Sequence, residues 1–326
     1  MKPNRLSRLL AACALFAALF SDVAFAQAIK DWKGQSANSD WNEPANWSPV
    51  GVPATADVVR IGVVAFNQPA IAINSSVRCA AMEFGTSAQA TVTINSPGKL
   101  TVAGGIMIDS KAGLTQDARF TTSFSGTGML EANFIQVGDD LQPATTLVGR
   151  AYMRVSFDLT DVYLRGNLII NSVSNDGTGT YYPEFYVNSG TLTLDGQIVT
   201  QNKFSYIESY PAGSVPQYRS MFRLSEEATN SAAVFRNIEP IRALAAGHCI
   251  DFIGAGSGVS NIIYENNSTT PQIVYPAFDV PVGQQPFNYK SIEFRGSGPK
   301  TVYGNPLSGT GGTITIGTNF TAEGGK

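Results

Sequence analysis

The sequence is poor in the residues that enzyme sites most often use. It contains one histidine, three cysteines and only 14% charged residues. A catalytic triad or a histidine-based metal site needs a paired nucleophile or further ligands, and neither spacing is found around His248. No basic cluster is present to meet a phosphate backbone, which disfavours nucleic acid as a partner. We therefore expect no catalytic residues, no bound metal and no cofactor.

Residues 1–26 have the pattern of a secretory signal peptide. A basic start precedes an apolar run, and a small-x-small site places the cleavage between Ala26 and Gln27. The run is too short for a stable membrane span, and no second run approaches spanning length. Lipidation of Cys13, within Leu10-Ala11-Ala12-Cys13, is disfavoured because the apolar run continues after it. We expect an exported chain without a membrane span, in the extracellular space or on the outer cell surface.

Export would place Cys79 and Cys249 in an oxidising environment, where a disulfide between them is possible. They lie far apart in the sequence, which favours two buried, unpaired thiols. Removal of the signal peptide takes away three basic residues and one acidic residue, and 19 basic and 24 acidic residues remain. The mature chain is therefore mildly acidic.

The composition predicts an all-β fold. The chain has 32 glycines, 17 prolines and 43% hydrophobic residues, and short strands rich in Val, Ile, Thr or Phe alternate with turn residues. The first candidate strands are 58–61, 70–74, 80–84, 91–94, 100–102 and 106–108. Their spacing suits a β-sandwich or a β-solenoid, and no Asn-Gly or Asp-Gly hairpin turn joins them, which favours the solenoid.

A recurring motif also favours a solenoid. The segments 94–108, 187–200 and 307–321 each run Ser, Gly, an alternating strand, Gly and a second short strand. Their unequal spacing is typical of repeat proteins with insertions. In a parallel coil these strands would expose their threonines and bury the residues between them. The residues expected inside are Leu100, Val102, Leu192, Leu194, Ile314 and Ile316. Tandem β-sandwiches are the alternative fold.

The expected domain plan has a cap over 27–57 followed by a solenoid over 58–326. Two less regular segments, 109–150 and 203–244, are expected to form lateral loops, where binding function tends to lie. The sequence stops at Lys326 directly after a strand, and a solenoid that ends without a cap exposes its core. We therefore expect the chain to be the N-terminal part of a longer protein.

All three tryptophans, Trp32, Trp41 and Trp47, lie in the stretch "WKGQSANSDWNEPANWSPVGVPATADVVRI" at 32–61. This stretch resembles the opening segment of large secreted bacterial surface proteins of the autotransporter-like and adhesin-like kind. The resemblance implies a right-handed parallel β-helix with an N-terminal aromatic cap. A similar start occurs in the eight-glycine domain of extracellular glycan-processing proteins.

The tryptophans have two possible roles. They could plug the open end of the first turn, burying roughly 150–250 Å² each, or form a glycan-stacking platform of rigid aromatic rings. Their position where a cap is needed favours the plug. Asp57 is expected to end the turn before the first strand by accepting a backbone N–H.

A second resemblance covers 250–305. The strand ending Tyr264-Glu265-Asn266 and the turn Gly296-Ser297-Gly298 look like the repeat unit of large extracellular proteins of Gram-negative bacteria, many exported by the type IX route. Weakly charged, histidine-poor strands suit a rigid spacer better than a catalyst. We expect a non-enzymatic structural or adhesive scaffold whose partners are surface glycans or other cell-surface components.

The alternative function is a carbohydrate-binding or polysaccharide-degrading β-helix protein. Cleavage of a glycoside needs two carboxylates across a cleft. The adjacent acidic pairs Asp139-Asp140 and Glu226-Glu227 are the candidates in the sequence. A calcium ligand set at Asn175-Asp176-Gly177 is disfavoured because the segment lacks the alternating acidic series of a known loop.

Overall fold

The chain is built from strands throughout the part that the computed structural model describes. That part comprises residues 27–34, 38–62, 70–85, 90–108, 119–138, 149–175, 179–202, 221–224, 231–243, 249–251, 260–274, 288–302 and 315–322. One short 3-10 turn, Pro44–Asn46, lies among them. The strands are β1 Ile29–Trp32, β2 Trp47–Ser48, β3 Val58–Ile61, β4 Ala70–Ile73, β5 Ser76–Cys79, β6 Ala81–Phe84, β7 Ala90–Ile94, β8 Lys99–Ile108, β9 Arg119–Val137, β10 Gly149–Leu164, β11 Leu168–Asn175, β12 Gly179–Leu194, β13 Ile198–Asn202, β14 Met221–Leu224, β15 Ser231–Phe235, β16 Ile241–Ala243, β17 Cys249–Asp251, β18 Ser260–Glu265, β19 Gln272–Val274, β20 Asn288–Arg295, β21 Lys300–Val302 and β22 Thr315–Ala322.

These strands pair into three parallel ladders. Ladder one holds β1, β3, β6, the ends of β8 and β9, then β11, β13 and β16. Ladder two holds β4, β7, the start of β9, β10, β12, β14 and β17. Ladder three holds β5, the start of β8, the middle of β9, the ends of β10 and β12, then β15, β18, β20 and β22. β19 and β21 form a separate parallel pair.

The chain visits the ladders in rotation, and one circuit through them is called a rung below. β9 completes a rung as a single strand, with 122–125 in ladder two, 129–132 in ladder three and 135–137 in ladder one. Gly126 makes its first corner with φ at 113°, and a Cβ there would lie 2.2 Å from the carbonyl oxygen of Ile94. Only glycine fits this corner.

Rung length varies along the chain, which hides the repeat in the sequence. Val58 pairs with Ala81, 23 residues later, whereas Ile198 pairs with Ile241, 43 residues later. The strands pair in parallel at both spacings. The prediction of an all-β parallel solenoid is thus confirmed. Antiparallel pairing within the described ranges is confined to β1 with β2 and β11 with β12, so the ladders do not form the tandem sandwiches of the alternative.

A single apolar core is formed by inward side chains of all three ladders. Leu100, Val102, Leu192 and Leu194 are buried as predicted, and the threonines between them are partly exposed. Ile314 lies outside the described residues, as does the side chain of Ile316. The third copy of the motif is displaced by one strand, because its ladder-three pairing is made by Asn319–Ala322 with β20.

Stacked phenylalanines run through the core from rung to rung. The ring centroids of Phe124 and Phe157 lie 4.9 Å apart with nearly parallel planes, and Phe157 lies 5.0 Å from Phe185. At the two ends of the row, Phe84 packs edge-on against Phe124 at 5.7 Å and Phe222 stacks on Phe185 at 5.8 Å. Alternation along each strand places these rings inward. The parallel register pairs Phe124 with Phe157 and Phe185 with Phe222. Phe157 and Phe185 lie two residues out of register, and Phe84 approaches the row from ladder one.

Parts of the two segments predicted to be lateral loops are strands in the structure. β9 lies within 109–150, and β14, β15 and β16 lie within 203–244, so both segments contribute strands to the ladders. The first segment looks irregular in sequence because β9 passes its corners within one continuous element, the first of them at Gly126. The remainder of each, and the predicted signal peptide 1–26, lie outside the described residues. In the described ranges no helix is long and apolar enough to cross a membrane.

The aromatic stack gives a test of the ladder assignment. We expect Phe157→Ala to lower the free energy of unfolding by about 3–5 kcal/mol, because it leaves a cavity between two rings. Thr160→Ala, at an exposed position of the same strand, is the matched control and should change that energy by about 0.5 kcal/mol or less. Denaturant titration followed by circular dichroism measures both. Equal effects would contradict an interior position for Phe157.

Candidate functional site

The three tryptophans form one buried cluster over the first rung. Trp32 and Trp41 pack edge-on against Trp47, with ring centroids 5.0 and 4.9 Å away. The indole N–H of Trp47 donates to the carbonyl oxygen of Trp41 at 2.8 Å. Asn46 is buried beside them, and its Nδ2 donates to the carbonyl oxygens of Asn38 and Asp40. The cluster is therefore packed and largely hydrogen-bonded like a core.

The burial of these rings distinguishes the two roles considered for them, a plug over the first turn and a platform for glycan stacking. Trp32 and Trp41 are 0% exposed and Trp47 is 1% exposed, so none presents a face to a sugar ring in this conformation. The antiparallel strand β2 covers the free edge of β1, and Pro49 follows it directly. A short strand ended by proline blunts an open sheet edge. This geometry matches the capping interpretation.

Asp57 plays the role predicted for it. Its Oδ2 accepts from the backbone N–H of Ala54 at 2.8 Å, three residues earlier, which closes the turn before β3. Its Oδ1 also accepts from the N–H of Ala28 at 3.3 Å, so the same carboxylate ties the cap to the first rung. The second bond was not predicted, because a 29-residue separation leaves no local pattern.

The other predicted residues contribute little to a site. Cys79 is a free, buried thiol, and burial raises its pKa to about 12. Cys249 lies in β17 with its side chain outside the described part, and Gln27 begins that part. Ala26, His248 and both adjacent acidic pairs lie outside it.

One surface of the described chain carries many ion pairs and hydrogen bonds between side chains, and the sequence did not predict it. Outward side chains of ladder three, and of the corner where it turns to ladder one, form ion pairs and hydrogen bonds, most of them between rungs. This surface is here called the charged face. Its members are Lys99, Glu131, Tyr163, Arg165, Asp195, Arg236, Glu265, Glu293 and Arg295.

Glu131 is the centre of the first part of this face. Its carboxylate accepts from Lys99 in the preceding rung and from Arg165 in the following rung. Only 11% of its side chain is exposed, compared with 37% for Lys99 and 62% for Arg165. The hydrogen bonds from Lys99 and then Arg165 hold the pKa of Glu131 below its usual value. The carboxylate therefore stays ionised and joins three rungs.

The second part of the face follows the corner. The phenol of Tyr163 donates to Asp195, and this bond raises the pKa of Tyr163. Arg236 lies between two acids of neighbouring rungs, with Nε donating to Glu265 at 2.8 Å and Nη1 3.7 Å from Asp195. Arg236 therefore meets an opposite charge in the rung before it and in the rung after it.

The sequence carries a signal for this corner that lies outside the recurring motif described above. An inward aromatic residue followed by an outward charged residue recurs at spacings of 29 and 30, and a proline follows four to six residues after the charge. The copies are Phe235-Arg236 with Pro240, Tyr264-Glu265 with Pro271, and Phe294-Arg295 with Pro299. The inward rings contact each other: Phe235 packs edge-on against Tyr264 at 5.6 Å, and Tyr264 lies tilted against Phe294 at 6.0 Å.

Buried amides complete these longer corners. Gln272 donates Nε2 to the carbonyl oxygens of Phe235 and Asn237 at 2.8 and 2.9 Å. Asn266 donates Nδ2 to those of Thr270 and Pro299, both at 2.9 Å. Buried carbonyl groups need partners, and the amides supply them where the ladder pairing is interrupted. Both residues are structural parts of the corner.

Chemically, the charged face offers fixed hydrogen-bonding groups without an excess of either charge. The face contains four cations and four carboxylates, and the Arg165 guanidinium lies 5.7 Å from the ring centroid of Tyr163. No cluster of three or more metal-ligating side chains occurs in the part of the chain described. The face is suited to contacts with polar, uncharged groups or with another surface of alternating charge.

The cap gives a second test. We expect Trp32→Ala, Trp41→Ala and Trp47→Ala each to lower the free energy of unfolding by about 3–5 kcal/mol, because each truncation opens the covered end of the core. Val50→Ala is the control in the same segment, since Val50 is 76% exposed. Thermal melts compare the four variants. Unchanged midpoints in the tryptophan variants would show that they do not cap the solenoid.

The lowered pKa of Glu131 gives a pH test. Pairing with Lys99 and Arg165 stabilises the fold above the unfolded-state pKa of about 4.3 and is lost as the pH falls through the lower folded-state pKa. We expect Glu131→Gln to reduce stability by about 1 kcal/mol at pH 7, with the difference from wild type shrinking in acid. Glu239→Gln, at an exposed site outside the network, is the control. A difference that stays constant down to pH 2 would contradict this assignment.

The match found to a known family lies over the cap and the first rungs. A family described as a domain of unknown function, DUF8693, matches residues 31–120, which run from β1 to the start of β9. No curated protein and no solved structure matches the chain. The N-terminal part of the chain is thus similar to a family that carries no functional description, and the match includes all three tryptophans and Asp57.

Proposed function

We propose that this protein is an exported, non-enzymatic scaffold of the cell surface or extracellular space, with a structural or adhesive role. The observation that carries the proposal is that side-chain contacts link neighbouring rungs inside ladder two and on the outer side of ladder three. Phenylalanines stack inside, and ion pairs link neighbouring rungs outside. Autotransporter-like and adhesin-like proteins, which the N-terminal stretch resembles, use such solenoids as stalks.

The mechanical consequence follows from the architecture. In a solenoid each rung contacts only its neighbours, so stiffness depends on the interfaces between rungs. Strands spaced by about 4.8 Å give the nine strands of ladder three a length of roughly 40 Å. Bending this length would separate aromatic rings on one side or ion pairs on the other. The chain therefore suits a rigid spacer that holds other segments away from a surface.

Export is supported by the sequence of residues 1–26. Cells producing the chain with a C-terminal epitope tag should release or display a protein that begins at Gln27. The purified protein should leave neutral and acidic polysaccharides intact when new reducing ends are measured. Retention in the cytoplasm with residues 1–26 attached, or release of reducing ends from any polysaccharide, would overturn the proposal.

Carbohydrate binding is the second candidate, and one feature of the charged face favours it. Tyr163 is partly exposed between Arg165 and Asp195, and a phenol beside planar polar groups can stack on a sugar and bond its hydroxyls. A glycan array separates the two candidates. Binding that is lost in Tyr163→Ala but kept in Thr193→Ala, its neighbour in the next rung, would favour the carbohydrate function over the scaffold alone.

A further inference from the structure

The corner of the charged face carries charges that alternate in sign from rung to rung. In register order the residues are Asn133, Arg165, Asp195, Arg236, Glu265 and Arg295, here called the corner column. Within it, 62% of the Arg165 side chain, 34% of Asp195 and 45% of Arg236 are exposed. Glu265 is 25% exposed and Arg295 is 43% exposed. The column is thus a solvent-facing row of alternating charge.

We propose that the corner column is a docking surface for a second copy of this chain, which binds antiparallel about a twofold axis between Asp195 and Arg236. The inference goes beyond the scaffold function, because it assigns the scaffold a partner. It rests on the order of the charges and their exposure, and it does not depend on export.

The order of charges selects this arrangement. A twofold axis at that point reverses the column of the second copy and sets Asp195 against its Arg236 and Arg165 against its Glu265. Asn133 then faces Arg295, whose guanidinium can donate to the amide oxygen. Parallel copies in the same register would place like charges opposite each other, which is unfavourable. A twofold interface also closes on itself, so the assembly stops at two copies.

The contacts within one chain do not use all the hydrogen-bonding capacity of the corner column. Arginine has five N–H donors, and a carboxylate can accept several hydrogen bonds. The Nε of Arg236 donates to Glu265, and its Nη1 lies 3.7 Å from Asp195. The side chain is 45% exposed, so its other N–H groups can donate to a second chain. Such ion pairs are individually weak and screened by salt, and a corner is narrower than the interface of a stable dimer. The dimer is therefore weak and sensitive to salt.

Sedimentation velocity of the purified protein tests the proposal first. In low salt the weight-average mass should rise with protein concentration from monomer towards dimer, and 0.5 M sodium chloride should abolish the rise. Arg165→Glu with Arg236→Glu makes the column acidic, and Asp195→Lys with Glu265→Lys makes it basic. Each double variant alone should stay monomeric, whereas an equimolar mixture should form a one-to-one dimer.

The matched control exchanges an ion pair elsewhere. Asp31→Arg with Arg60→Asp reverses the pair in ladder one and should leave the wild-type dimerisation unchanged. Melting curves show whether each variant is folded. A wild-type protein that stays monomeric in low salt, or a folded mixture that stays monomeric, would overturn the proposal. The scaffold function would stand in either case.

A second measurement avoids the charge substitutions in case those variants do not fold. Asn133→Cys and Arg295→Cys, made in separate chains, should form a disulfide between the two chains when mixed under oxidising conditions. Neither variant alone should cross-link through the new cysteine, because identical positions lie far from the twofold axis. Equal cross-linking within each single variant would exclude the antiparallel register.

Discussion

In a parallel ladder each side chain lies directly over its counterpart in the neighbouring rung, and most features of this protein follow from that constraint. Each side chain must therefore pack or bond favourably with its counterparts in the preceding and the following rung. Apolar side chains stack inside, and Phe124 meets Phe157 face to face. On the outer side of ladder two, hydroxyl groups meet hydroxyl groups, as with Thr93 and Ser125 at 3.1 Å.

The same constraint makes outward charges costly unless they alternate. Like charges one rung apart would repel at the spacing of neighbouring strands. The corner of ladder three avoids this by changing sign at each rung from Arg165 to Arg295. Glu131 achieves the same result with a cation on either side. The charged face thus holds the rungs in register while carrying no net charge, and the same alternation makes it complementary to itself.

A stack of rungs also has an end, and its first rung would expose the core without a cover. The tryptophan cluster supplies that cover, with β2 on the edge of ladder one and Ser39–Trp41 bonded to Ala72 on ladder two. Asp57 links this cover to the turn before β3. The family match at residues 31–120 takes in the cap together with the rungs it protects. The cap and the first rungs thus form one structural unit.

The sequence alone determined what depends on neighbouring residues. Alternation along strands predicted the all-β class and the inward positions of Leu100 and Leu192, and the local turn predicted the role of Asp57. It missed β5, because Ser76-Val77-Arg78-Cys79 is too polar to stand out as a buried strand. Only the tertiary structure decided which strands meet, because rung lengths from 21 to 43 residues erase any fixed period. Ion pairs between residues 29 to 34 positions apart, such as Arg165 with Glu131, therefore leave no pattern in the sequence. The tertiary structure also decided that the three tryptophans are buried. A cap and a stacking platform need the same residues and differ only in whether the rings face the core or the solvent.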